Sequence, residues 1–253
     1  MREASMTAAK APGSIPDGAP DGAPDKAPDR IAGMFDAIAP RYDLLNHVLS
    51  AGIDRRWRDR ALRSLGLTGR ETLVDVCTGT ADVALQARGA ARVIGVDFAG
   101  AMLSVGLRKV RAADESRRVA LIRGDATRLP VGDGVADAAT VAFGIRNVED
   151  PKQGCAELAR VIRRGGRLAI LEFGVPRVPG IRTLYSWYFK YLLPSIGRIV
   201  SGHSVAYSYL PASVGTFPPP PAFVAMLEEA GFADVRAEPL TFGIAYLYTA
   251  TKR

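Results

Sequence analysis

Between Thr72 and Asp82 the chain reads Thr-Leu-Val-Asp-Val-Cys-Thr-Gly-Thr-Ala-Asp. An apolar and β-branched run gives way to small residues around Gly79, and helix-compatible residues resume from Ala81 to Ala87. A short run of this kind is what a strand buried on both faces shows, and a small-residue turn into a helix is the junction of a parallel α/β sheet. Such a junction turns backbone N–H groups and a helix N-terminus toward the crevice beyond the strand, where open α/β sheets place their ligands. A second apolar run, Arg92 to Val96, ends in Asp97. A carboxylate there can accept hydrogen bonds from both hydroxyls of a ribose. The two turns together predict a site for a nucleoside-bearing cofactor.

What the first turn lacks narrows the choice. A dinucleotide site uses three glycines so that backbone can approach a pyrophosphate, and here only Gly79 stands among Cys77, Thr78 and Ala81. Asp75, early in the turn, attracts a cation and repels phosphate. S-adenosylmethionine carries a sulfonium, an ammonium and a ribose, and it fits this pattern better than a dinucleotide does.

The rest of the chain repeats the alternation. Strands are predicted at Val119 to Ile122, Val135 to Phe143 and Arg167 to Phe173, with helices at Ala101 to Ala113, Pro151 to Ile162 and Phe223 to Ala230. The Gly165-Gly166 pair is read as the turn between the Pro151 helix and the fifth strand. Val235 to Leu240 and Ile244 to Thr251 form a closing hairpin, giving a doubly wound, mostly parallel seven-stranded sheet. Asp125, after the third strand, is placed to accept from an adenine amino group.

Three segments stand outside this alternation. Residues 1–30, with their repeated Ala-Pro-Asp, cannot bury a face and read as a disordered tail. Residues 31–66 read as a helical cap: Phe35, Ile38, Tyr42 and Leu45 share one face of a first helix, and Ile53, Trp57, Ala61 and Leu65 one face of a second whose Arg55, Arg56, Arg58 and Arg60 point largely outward. Residues 176–221 are a long aromatic insertion, including Trp187, Tyr188, Phe189 and Tyr191. Loops of that length inside a domain are usually functional.

The whole chain carries a formal charge of +7; the tail contributes −1, leaving +8 on the folded part. That charge suits an anionic membrane surface, and no basic stripe interleaved with aromatics points to nucleic acid. Two cysteines and two histidines supply no metal spacing, so no metal is expected. No run of about 18 uncharged apolar residues predicts a membrane span, and no apolar signal segment opens the chain. The expected location is cytoplasmic, with room for peripheral attachment to the inner face of the cell membrane; a homodimer face is the competing use for the insertion.

Asp75 to Asp82, Gly95-Val96-Asp97 with Met102-Leu103, Gly124-Asp125-Ala126 with Leu129-Pro130, and Gly165-Gly166-Arg167-Leu168 resemble the motif series of class I S-adenosylmethionine-dependent methyltransferases, a Rossmann-like fold. The Phe35 to Asp43 stretch with Asn46, Phe143 to Val148, Leu171-Glu172-Phe173 and Ala206 to Leu210 resemble more specifically the quinone C-methyltransferases of menaquinone and ubiquinone biosynthesis. The resemblance covers about Ile31 to Arg253. It implies methylation of a ring carbon of a polyprenylated quinol, demethylmenaquinol first and the benzoquinol precursor second. A methyltransferase acting on another small molecule would keep the cofactor turns without Arg146, Asn147 or the insertion.

Carried over by position, the family's cofactor contacts fall on Thr80, Asp97, Asp125 and Ala126, alongside Asp75 and Gly79 of the first turn. Thr78 and Ala81 stand where glycines are frequent, Ala99 where a serine is common, and Ala142 where some members carry a cofactor-contacting serine. Arg146 and Asn147 are the expected catalytic pair, the arginine stabilising a phenolate and the asparagine bonding to it, with Tyr42 of the cap completing the network.

Overall fold

The computed structural model describes residues 27–50, 52–176, 178–187 and 205–253. One sheet contains β1 (Thr72–Val76), β2 (Arg92–Asp97), β3 (Val119–Arg123), β4 (Ala136–Ala142), β5 (Ile162–Phe173), β6 (Phe232–Leu240) and β7 (Ala245–Lys252). Their spatial order is β3-β2-β1-β4-β5-β7-β6. The first five are parallel, and β7 pairs antiparallel with both β5 and β6. From β1 the chain winds outward to β2 and β3, then crosses back to β4 on the other side. The strand order therefore reverses between β1 and β4, and a crevice opens beyond their carboxyl ends.

Nine helices are described: α1 (Pro28–Ile38), α2 (Tyr42–Leu49), α3 (Ile53–Ser64), α4 (Asp82–Gln86), α5 (Gly100–Ala112), α6 (Pro151–Val161), α7 (Pro179–Trp187), α8 (Val205–Thr216) and α9 (Pro220–Glu229). Leu158 of α6 and Phe223 and Leu227 of α9 pack in one apolar layer with Ile170 and Tyr248 of the sheet. Trp57, Ala61 and Leu65, on or just past α3, form the other layer with Val110, Leu73 and Leu171. β1 lies between the two, with Leu73, Val74 and Val76 all buried, as a strand covered on both faces requires. Asp150 caps α6 by accepting from the N–H groups of Lys152 and Gln153, and Pro151 at the first helical position gives up no bond that the helix needs.

Four expectations need correction. The cap's first helix is broken: Ala39–Arg41 forms a 3-10 turn between α1 and α2, because Pro40 cannot continue the α-helical ladder. α1 begins at Pro28, inside the stretch read as tail, since proline is well suited to a first helical turn. Gly165-Gly166 does not end the α6 connection but lies within β5, where the pairing with β4 jumps from Ala136–Ile162 to Ala138–Arg167. Gly165 has φ +72°, and a Cβ on Gly166 would lie 2.8 Å from the Asp137 carbonyl oxygen, so both residues serve a bulge. Arg58 is buried rather than outward, its Nη1 paired with Asp54 at 3.2 Å and with Asp82 at 2.8 Å. The aromatic run Tyr188 to Tyr191 lies outside the described residues.

Candidate active site

The crevice holds about 730 Å³, its open mouth included, within the range of small-molecule sites. Its floor is built where β1, β2 and β4 end, by Cys77, Gly79, Asp97, Ala142 and Gly144. Its roof comes from the cap, as Phe35 and Tyr42, whose rings meet edge to face with centroids 6.1 Å apart. Two carboxylates tether that roof: Asp36 accepts from the Ala101 N–H at 2.8 Å, at the start of α5, and Asp43 accepts from Lys109 at 2.8 Å and from the Thr80 hydroxyl.

Backbone strain gathers around the floor. Cys77 (φ +56°), Ala81 (φ +66°) and Phe143 (φ +60°) are non-glycine residues in the left-handed region, all at strand ends facing the crevice or just behind it. Ala81 thus occupies a position that suits glycine. Gly144 is required by contact: an added Cβ would overlap Cys77, because the exit of β4 crosses the exit of β1. Gly106 lets α5 lie against the first turn, since its Cβ would come within 3.2 Å of the Thr80 carbonyl carbon and of Ala81 Cβ.

Asp97 faces the crevice while accepting from the Gly79 N–H at 2.8 Å and the Ala99 N–H at 2.9 Å. Burial pushes its carboxyl upward, and these backbone donors oppose that shift. Each oxygen retains a lone pair for a ribose hydroxyl. At Gly79 an added Cβ would meet only the Tyr42 ring, at 3.9 Å, so the turn exposes bare backbone to the crevice. Asp125 and Ala126 form the wall after β3, with Asp125 held by the Thr127 N–H and hydroxyl. The crevice thus brings together the Asp97 carboxylate, bare backbone at Gly79 and the Asp125-Ala126 wall.

Two predicted cofactor residues stand back from the wall. The Thr80 side chain is turned into the Asp43–Lys109 cluster, and the residue is buried off the crevice wall. Asp75 is buried beneath the turn, accepting from the Thr78 hydroxyl at 2.6 Å, with Oδ1 unpartnered. Burial raises its carboxyl to about 7, so it is not the exposed anion expected beside a cation.

Asn147 lines the crevice, and its carboxamide oxygen is buried with no partner. Arg146 is buried behind it. Its Nη1 donates to Glu172 at 2.8 Å and to the Phe143 carbonyl, and its Nε donates to the Ser213 hydroxyl at 3.3 Å. Its guanidinium carbon lies 5.4 Å from the Phe173 ring centre; Phe173 stacks on Phe143 at 4.5 Å, and Trp57 closes the cluster. Arg146 is therefore a clamped cation, not a free one facing the methyl. Glu172 was missed as a site residue. Its signal was a carboxylate set among Ile170, Leu171 and Phe173, where a strand buried on both faces tolerates charge only if it is paired.

The strand order, the acid at the end of β2 and the crevice at the reversal between β1 and β4 are those of a class I S-adenosylmethionine-dependent methyltransferase. A structure of a similar methyltransferase from Thermotoga maritima shares the fold at a TM-score of 0.58 and 17% identity, covering 88% of this chain and all (100%) of that one. The chain belongs to the ubiE/COQ5 methyltransferase family, whose model matches residues 24–252. It is 47% identical over 227 residues to a ubiquinone/menaquinone biosynthesis C-methyltransferase of Geobacter sp. strain M21, covering 88% of this chain and 96% of the relative. It is 41% identical to a demethylmenaquinone methyltransferase of Bacteroides fragilis, with 88% of this chain and 92% of the relative covered.

Proposed function

We propose that the chain transfers a methyl group from S-adenosylmethionine to a ring carbon of a polyprenylated quinol, with demethylmenaquinol the first assignment and the benzoquinol of ubiquinone biosynthesis the second. Asn147 carries this reading: a buried, unpartnered carboxamide oxygen on the crevice wall is an acceptor awaiting a donor. Bound in the crevice, the cofactor supplies an electrophilic methyl. A quinol carbon becomes nucleophilic as its hydroxyl gives up a proton to water at the crevice mouth, a proton that an isolated phenol holds to about pH 10. As the carbon bonds to the methyl, the electron pair of the breaking C–S bond leaves with the sulfur. The ring then loses the proton of the methylated carbon to water. Asn147 accepts the hydrogen bond from that hydroxyl and orients the ring. Arg146, fixed behind Asn147, lends positive charge where the phenolate develops. Burial raises the Tyr42 phenol above its ordinary value, so Tyr42 serves as a hydrogen-bond donor and a lid, not a base.

The same reading gives the 176–221 insertion to the isoprenoid tail and to peripheral contact with a bilayer. Exposed Val175, Val178 and Trp187 at its beginning, with the basic body, support that use. Among the described residues no helix is long and apolar enough to cross a membrane. Flotation with anionic vesicles, set against sedimentation for a homodimer, separates the two uses of this face.

The deciding experiment offers labelled S-adenosylmethionine with each reduced quinol in turn, and mass spectrometry locates the new methyl. A ring-carbon methyl on the naphthoquinol alone gives the menaquinone assignment, and on the benzoquinol alone the ubiquinone assignment. Transfer to neither, by protein that binds the cofactor, overturns the reading.

A further inference from the structure

The Ala206 to Leu210 stretch singled out in the sequence has no part in the site as described so far. It lies in α8, which packs against α1 and against the 3-10 turn Ile145–Asn147. Tyr209 and Ser213 are four residues apart, so they share one helix face. Ser213 is fully buried and takes the hydrogen bond from Arg146 Nε, which fixes that face toward the Arg146–Glu172 pair. The Tyr209 hydroxyl, one turn earlier, is buried and has no partner.

Both unpartnered polar atoms belong to residues beside one buried cation: Asn147 follows Arg146 in the chain, and the Arg146 charge acts on the Tyr209 phenol. The Asn147 carboxamide oxygen is an acceptor, and the Tyr209 hydroxyl can donate. A quinol presents two oxygens across a ring, one able to donate and the other to accept. We propose that Tyr209 binds the substrate directly, its phenol donating a hydrogen bond to the quinol oxygen opposite the one that Asn147 engages, so that α8 is the substrate-side wall of the chamber. This rests on the quinol reading above. Burial raises the Tyr209 phenol and Glu172 adds to that, against the opposing pull of Arg146, which keeps the group a donor through the neutral range.

Stability and activity separate here in a way that a structural role does not permit. A buried hydroxyl without a partner contributes nothing to the free protein and costs its desolvation. Tyr209→Phe is therefore expected to melt at or above the wild-type temperature and to bind S-adenosylmethionine with unchanged affinity. Its kcat/KM for the quinol should fall at least tenfold, mostly through KM. Two monohydroxy analogues, each missing one ring oxygen, give the second readout: wild type discriminates between them, and Tyr209→Phe loses that discrimination. Ser213→Ala, which touches Arg146 instead of the substrate, should keep it. A Tyr209→Phe protein with wild-type kcat/KM, or with lowered melting temperature and equal losses on every substrate, overturns the inference. Wild type inert toward both quinols overturns the function reading, and this inference with it.

Discussion

Arg146 and Glu172 form an ion pair of 2.8 Å in which the arginine side chain is 7% exposed and the glutamate 0%. The Glu172 carboxylate also accepts from the backbone N–H groups of Arg146 and Phe173, so it fixes the 3-10 turn that presents Asn147 as well as the guanidinium. Removing one member of such a pair leaves an unpaired buried charge, at a cost of about 3–5 kcal/mol. Glu172→Leu should lower the urea midpoint accordingly. The double variant Glu172→Leu with Arg146→Met should regain most of that stability while remaining poor in turnover. A double variant destabilised by the sum of the two single variants' losses would show that the pair is not coupled.

Asp75 gives a pH signature. Its carboxyl is raised from 3.8 to about 7 by burial, so the folded protein keeps the proton where the unfolded chain has already lost it. The stability this group contributes is complete below about pH 4 and is lost as pH rises through about 7. The slope between those limits is as much as about 1.4 kcal/mol per pH unit. Asp75→Asn, which cannot ionise, should flatten that part of the profile and gain on wild type as pH approaches neutrality. Denaturation midpoints taken at intervals from pH 4 to 8 test this, and an unchanged slope would remove Asp75 as its source.

Cofactor affinity should depend on Asp97 more than on Thr80. Asp97→Asn keeps an acceptor for the turn but loses the charge that strengthens bonds to the ribose hydroxyls, worth about 1.5–3 kcal/mol. Titration calorimetry should show S-adenosylmethionine binding weakened by roughly tenfold to a hundredfold on that energy scale. Thr80→Val, whose lost hydroxyl faces Asp43 rather than the crevice, should change affinity far less.

Gly144→Ala should be among the most damaging small substitutions. The added methyl has no space beside Cys77, so β1 and β4 must part at the reversal point. Loss of both thermal stability and cofactor binding is expected. At Gly33, where an added Cβ meets nothing within 4 Å, alanine should be harmless by both measures.

The sequence displayed what is local. The apolar run at Thr72 to Val76, the acid ending β2, the proline opening α6 and the hairpin pattern of β6 and β7 each arise from neighbours in the chain, and each was readable. The clamp on Arg146 was not, because Glu172 and Ser213 reach it from elements 26 and 67 residues away. Arg58 reads as an outward arginine on an arginine-rich helix, and Asp82, across the fold, joins Asp54 in drawing it inward. Pro40 and the Gly165-Gly166 pair were visible as residues that interrupt regular structure. Their outcome, a 3-10 turn in one case and a bulge in the other, depended on partners that local pattern does not specify.

Trp57 of the cap donates to the Thr241 hydroxyl, 184 residues further along the chain. This bond joins α3 of the cap to the turn between β6 and β7. Trp57 is synthesised well before its partner, so α3 cannot be tied down at this point until the 184 residues that follow have been made. Contacts this distant in sequence form late because the intervening chain must first be brought together. A nascent chain halted before Thr241 would therefore own every residue named for cofactor binding and still lack this tie to the cap.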